Sequence, residues 1–147
     1  MEQVRDLLAE RAARCLGPAV DGELQWLIQA DGTPVGWATL RIAYRAHGVA
    51  ELGYTMATQY HRRGYMTAAI DLVLRLAFDP VRGADLWRVE AAAAVDNVAS
   101  QRVLEGAGFQ LEGVARASAL INGERIDHAR YALLRPDWQA APRRGDR

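Results

Sequence analysis

A single cysteine, Cys15, stands in 147 residues, which excludes an internal disulfide and fits a reducing compartment. Charge of one sign is not in excess either. Eighteen basic and eighteen acidic residues cancel, so recognition of nucleic acid or another polyanion through bulk charge is excluded and only local clusters remain. No apolar run approaches the length of a membrane span and none resembles a secretory signal, which makes the cytoplasm the expected location. The three histidines, His47, His61 and His128, do not share metal-ligand spacing, and one cysteine offers no thiolate set, so no metal is expected. Repeats and low-complexity segments are also absent.

What is present is a half-hydrophobic chain of single-domain length. One domain is expected over residues 1–138, followed by a flexible tail over 139–147. Val4, Leu8, Ala12 and Cys15 recur at helical spacing in residues 1–16, and Gly17-Pro18 stops that helix. Strands are predicted over 23–29, 35–44 and 49–56, the first two joined by a turn at Ala30-Asp31-Gly32-Thr33. Met66, Ile70, Val73, Leu74 and Ala77 mark one face of a helix over 67–78 that ends before Pro80. A strand over 86–95 follows. Asp96 or Asn97 can cap a helix over 98–107 that Gly108 terminates. Asn122-Gly123, a strong two-residue hairpin signal, then separates strands over 109–121 and 124–134. The order is that of a mixed α/β sheet. Trp26, Trp37, Trp87 and Trp138 are expected to pack that sheet.

Between the third strand and the next helix lies the run Tyr60-His61-Arg62-Arg63-Gly64-Tyr65-Met66-Thr67. The first amides of a helix have no internal partners and carry the positive end of its dipole, so they bind anions. Gly64 permits positive φ and close approach of a ligand, and Arg62 and Arg63 can add charge-assisted bonds to phosphate. A solvated basic turn is the alternative reading of the same loop.

Four segments occur in one order and spacing: Glu51-Leu52-Gly53-Tyr54, the loop from His61 to Met66, Asn97-Val98-Ala99-Ser100, and Glu105-Gly106-Ala107-Gly108-Phe109. Together they resemble the GNAT superfamily of acyl-CoA N-acyltransferases. Gly108-Phe109-Gln110-Leu111-Glu112-Gly113, Asn122-Gly123, Asp127-His128 and Arg135-Pro136-Asp137-Trp138 resemble its RimJ/RimL branch, the ribosomal-protein N-terminal acetyltransferases. The resemblance implies an α/β (α+β) fold, a mixed, mostly antiparallel sheet flanked by helices. The usual first strand and helix have no counterpart, which would leave a sheet edge unpaired in a shortened or truncated chain, or one completed by a partner.

By the same resemblance the co-substrate is acetyl-CoA and the acceptor a primary amine, on a protein N-terminus or a small molecule. Nucleic acid and membrane are not expected as partners; a homodimer is left open. Backbone groups of Tyr54, Thr55, Met56 and Ala57 would line the pantetheine arm, and His61, Arg62, Arg63, Gly64, Tyr65, Met66 and Thr67 would hold the pyrophosphate. The named positions of the coenzyme motif, Q/R-x-x-G-x-G/A, fall on His61, Gly64 and Met66; His61 replaces Gln or Arg, and Met66 would narrow the space beside the pyrophosphate. The family's Tyr proton donor is replaced by Leu104.

Glu51 is the expected general base, acting directly or through water, with Glu90 as runner-up; a solvated carboxylate on an alternating strand is the alternative for either. Ser100 is the candidate acid for the departing thiolate, or else a hydroxyl bonded only to its own helix. Asn97 reads as helix cap and as partner of the pantetheine arm. Asp127-His128 could face the acceptor, or be ordinary strand residues. The reaction expected is direct transfer in a ternary complex. The alternative is a non-catalytic acyl-CoA-binding or regulatory module.

Overall fold

Alternating apolar and polar side chains give five of the six strands a row of buried residues, whereas the edge strand over residues 110–121 buries none. The computed structural model describes residues 22–142. The helix expected over residues 1–16 lies outside them. The elements are β1 (Gly22–Ala30), β2 (Thr33–Tyr44), β3 (Val49–Met56), α1 (Tyr65–Phe78), β4 (Arg88–Ala94), α2 (Val98–Gly106), β5 (Gln110–Ile121), β6 (Glu124–Leu134) and α3 (Arg135–Ala140). They form one mixed sheet in the order β1-β2-β3-β4-β6-β5. Only β3 and β4 run parallel; every other neighbouring pair is antiparallel. Among the described residues β1 and β5 are the edges.

Two-residue turns close the β1–β2 and β5–β6 hairpins. Asp31 and Gly32 have φ of 50° and 79°, and Asn122 and Gly123 have φ of 51° and 79°. Positive φ at both positions matches the turn twist to that of the strands. The helix α1 buries Met66, Ala69, Ile70, Val73, Leu74, Ala77 and Phe78 along one stripe. These side chains share one core with Trp26, Ile28, Leu40, Leu52, Val89, Tyr131 and Leu133 of the sheet. Full burial of a side chain such as Leu74 stabilises by roughly 1.5–3 kcal/mol. Past α1, the Asp79 carboxylate accepts from the N–H groups of Val81 and Arg82 at 2.8 and 3.0 Å and turns the chain back toward the sheet.

Three details differ from expectation. The helix α1 begins at Tyr65, two residues before Thr67, because Gly64 takes the left-handed conformation at φ 78° and releases the helix there. A short third helix, α3, carries Pro136 in its first turn, where a fixed φ and a missing N–H cost nothing. It runs to Ala140, into the stretch expected as tail, and Trp138 lies against Phe78 with ring centroids 5.4 Å apart. The tryptophans also divide. Trp26 is buried and Trp138 packs on the core, whereas Trp37 is 53% exposed and Trp87 lies half-exposed beneath the Arg135 guanidinium. No helix among the described residues is long and apolar enough to cross a membrane.

Candidate active site

The parallel pair β3–β4 runs only from Val49↔Arg88 to Leu52↔Ala91. Beyond it each strand keeps its outer neighbour: Gly53 to Met56 stay paired with β2, and Ala92 to Ala94 with β6. The two halves of the sheet therefore splay apart, and the backbone groups of β3 that would have met β4 line a cleft. Extended backbone with one side free presents fixed N–H and C=O groups to a ligand at no reorganisation cost. Tyr54, Thr55 and Met56 lie on this free stretch, and Ala57 follows it with its N–H bonded to the Val35 carbonyl.

From β3 the chain passes through a tight turn at Thr58–Tyr60 and reaches α1 at Gly64. No side chain caps α1, and its first internal bond is from the Ala68 N–H to the Gly64 carbonyl. The amides of Tyr65, Met66 and Thr67 thus form a bare helix start directly after the cleft strand. Arg62, at φ 63°, and Arg63 are exposed; the Arg63 guanidinium lies 5.8 Å from the Tyr60 ring, and Tyr65 lies half-buried beside the same ring.

Two motif residues are placed otherwise than the resemblance implies. Met66 does not crowd the phosphate loop: its side chain is buried in the core with Ile70 and Val73, leaving only its amide at the helix start. His61 is turned back on the strand end, its Nε2 2.9 Å from the Met56 carbonyl oxygen, which ties the loop to β3 and takes that nitrogen away from a phosphate.

Asn97 caps α2, its Oδ1 accepting from the Ser100 N–H at 3.1 Å. Ser100 is half-buried and bonds beyond its own helix: its Oγ lies 2.7 Å from the Tyr54 hydroxyl, and that hydroxyl is also 3.2 Å from the Ser100 carbonyl oxygen. The pair links β3 to the start of α2 across the cleft. Burial pushes the Tyr54 phenol up, with the Ser100 bond partly opposing it. Leu104, at the family's tyrosine position, is wholly buried. Nearby, the buried Tyr131 donates to Glu105 Oε1 at 3.0 Å, and burial with that carboxylate raises its phenol too. The Tyr54 hydroxyl was not among the expected site groups. Its only signal was its place two residues after Leu52, on the core side of the strand.

On the opposite face Glu51 and Glu90 are register partners and lie side by side. Glu51 is 38% exposed, neither buried nor freely solvated, and its Oε2 accepts from Arg41 at 2.8 Å. No described group takes its Oε1. Glu90 Oε1 accepts from Arg88 at 3.0 Å, and the Arg130 guanidinium lies 3.8 Å from its Oε2 without a hydrogen bond. Arg88 also forks onto Glu112, which raises the guanidinium and lowers the Glu112 carboxyl relative to their ordinary values. Farther along, His128 Nδ1 lies 2.8 Å from Ser118 Oγ, and Asp127 Oδ1 accepts from the Ala117 N–H in a bulge of β5. Among the described residues no group of three or more His, Cys, Asp or Glu is placed to hold a metal.

Among the described residues, a sheet that splays past its parallel pair beside an uncapped helix start offers free backbone groups and an anion-binding helix end in one place. The chain belongs to the GNAT acetyltransferase family: residues 1–110 match the family described as Acetyltransferase (GNAT) domain. It is similar to the probable N-acetyltransferase YjcK of Bacillus subtilis (strain 168), 38% identical over 109 residues, 74% of this chain and 59% of that protein. Likeness to the [ribosomal protein uS5]-alanine N-acetyltransferase of Escherichia coli (strain K12) is 32% over 87 residues, 59% of this chain and 43% of that one. The crystal structure of a probable acetyltransferase superposes with a TM-score of 0.75 at 32% identity, covering 80% of this chain and 64% of that one. The chain spans less than two thirds of the length of these relatives. The co-substrate of this family is acetyl-CoA.

Proposed function

We propose that this chain is an N-acetyltransferase that transfers acetyl from acetyl-CoA to a primary amine, on a protein N-terminus or a small molecule. The observation that carries the reading is the end of β3–β4 pairing at Leu52↔Ala91 directly before the uncapped start of α1. Free backbone groups from Tyr54 to Met56 suit the amide-rich pantetheine arm. The amides of Tyr65, Met66 and Thr67, with Arg62 and Arg63 beside them, suit the pyrophosphate. With Met66 turned into the core, its size is no obstacle to that contact.

Transfer is direct, in a ternary complex. The neutral amine attacks the thioester carbonyl carbon, the C–S bond breaks, and the thiolate leaves while the nitrogen gives up a proton. Glu51 is the base, because Arg41 fixes one of its oxygens and leaves the other open to the amine or an intervening water, whereas Glu90 lies between two guanidiniums, hydrogen-bonded to Arg88 and in the field of Arg130. Ser100, oriented by the Tyr54 hydroxyl, gives its proton to the thiolate and is reprotonated from water, while Glu51 releases the amine's proton to water. An α-amine, with a reference pKa near 8, is partly neutral at pH 7 and suits such a site better than a lysine side chain near 10.4. The relative named for uS5-alanine supports an N-terminal or amino-acid amine and a place in the RimJ/RimL branch. A cytoplasmic location and a single-domain organisation complete the reading.

Leu104 in place of the family's tyrosine favours a second reading, an acyl-CoA-binding module without turnover. A thermal-shift screen with acetyl-CoA, longer acyl-CoAs and CoA tests both. A ligand at a hundred times its dissociation constant adds about 2.7 kcal/mol of stability. The absence of any shift sinks both readings, and a shift without acetyl transfer to any amine leaves the module. The chain contains no lysine, so label arriving on a lysine in such an assay cannot be its own.

A further inference from the structure

Past the last β3–β4 pair, the open face has a floor of small residues: Gly53 on β3, then Ala92 and Ala94 on β4. In the β4–β6 register Arg130 stands beside Ala92 and His128 beside Ala94. Spaced by two, they share that face and form one wall of the floor.

The charges around it are unequally committed. Glu51 is held by Arg41, Glu112 by Arg88, and Glu90 by Arg88 and, at longer range, Arg130; Asp127 is engaged by the Ala117 amide. Among the described residues Arg130 lies 3.8 Å from Glu90 Oε2, too far for a hydrogen bond, acts on Glu112 only through its field, and has a side chain 43% exposed. His128 is steadied at Nδ1 by Ser118, and no described group takes its Nε2. The available binding capacity on this wall is therefore a guanidinium fork and an imidazole edge, a pairing that suits a carboxylate. A polyamine would meet a cation there. Across the floor, on β3 and one side-chain row back from Gly53, no described group takes Glu51 Oε1, which can accept from an ammonium.

We propose that Arg130 and His128 form an anion-recognising subsite beside the splay, so that the acceptor is an amine carrying a carboxylate a few bonds from its nitrogen, an amino acid or short acidic peptide rather than a polyamine. This rests on the acetyl-transfer reading.

The test titrates a panel of L-amino acids, the matching amides and spermidine into the protein saturated with CoA, so that binding is read without turnover. At least one amino acid is expected to bind about tenfold more tightly than its amide and than spermidine, a difference of about 1.4 kcal/mol. Arg130→Gln should abolish that preference, raising KM for the acid with kcat within about twofold, as loss of uniform binding does. His128→Asn should reduce the preference by a smaller factor. An unchanged unfolding midpoint and unchanged CoA affinity show that each variant is folded. Equal binding of acid and amide, tighter binding of spermidine, or a preference that survives Arg130→Gln overturns the subsite alone. Failure of CoA itself to bind overturns the acetyltransferase reading beneath it.

Discussion

On one face of the sheet Leu52, Val89 and Tyr131 are closed over in the core with α1; on the other Glu51, Glu90 and Arg130, one residue along the same strands, lie open. The period of two puts neighbouring residues in different media, so one strand serves two purposes. Apolar burial holds the strand positions rigidly. The open face carries ion pairs between partly exposed groups, each worth about 0–1 kcal/mol, so its residues are available for chemistry at little cost in stability. The splay is where the two meet, because the cleft strand is fixed from the core side and reached from the open side.

The sharpest way to break this division is Leu74→Ala. Leu74 is almost wholly buried, and its truncation should cost about 2–5 kcal/mol in urea unfolding. Coenzyme affinity should fall only as the folded fraction falls. A larger loss of affinity in the folded protein would show that the faces are coupled more tightly than their contacts imply.

Glu51→Gln attacks the other face. Turnover should fall about a hundredfold, equivalent to about 2.7 kcal/mol of barrier, while urea unfolding moves by less than about 1 kcal/mol. Arg41→Gln should match it in stability and retain most of the turnover. Full activity of Glu51→Gln in steady-state assays would remove Glu51 from the mechanism.

Much of this division was legible before any coordinates. Alternation and the Asn122-Gly123 turn delimit β3 and β6 to the residue, since each strand has one apolar row and a strong stop signal. The helix α3 escaped because six residues carry too little periodicity; Trp138 against Phe78, a tertiary contact, anchors it. At the site, Gly64 and the uncapped amides follow from local backbone chemistry. The direction of Met66 was also readable, from its own stripe with Ile70 and Val73, and only alignment to the coenzyme motif pointed elsewhere. The bonds His61 to Met56, Tyr54 to Ser100 and Arg41 to Glu51 were not legible, because each depends on how separate elements meet.

Alkaline titration probes the core side of the cleft. The phenols of Tyr54 and Tyr131 are both raised in the folded protein, so the native state holds these protons more tightly than the unfolded chain. Their contribution is complete below the unfolded value near 10 and is lost as pH rises from there through the folded values. In that window each phenol should steepen the loss of stability by up to about 1.4 kcal/mol per pH unit. Tyr54→Phe should reduce the slope by one group, as read by urea unfolding at a series of pH values. Phenolate absorbance should show the Tyr54 and Tyr131 phenols ionising above 10. An unchanged slope in Tyr54→Phe would mean that the phenol is not held neutral by the fold.

The smallest effect bears on the seam between the faces. Tyr54 and Ser100 are bonded at 2.7 Å across the cleft, so Tyr54→Phe and Ser100→Ala should be non-additive in stability by about 0.5–1.5 kcal/mol. Their catalytic effects should separate, because Ser100 is proposed to touch the reacting sulfur whereas Tyr54 acts through it. Ser100→Ala should lower kcat directly. Tyr54→Phe should lower it less and have little further effect once Ser100 is gone. If Tyr54→Phe in the Ser100→Ala background costs as much in kcat as it does alone, the hydroxyl pair is a strut between β3 and α2 and carries no proton.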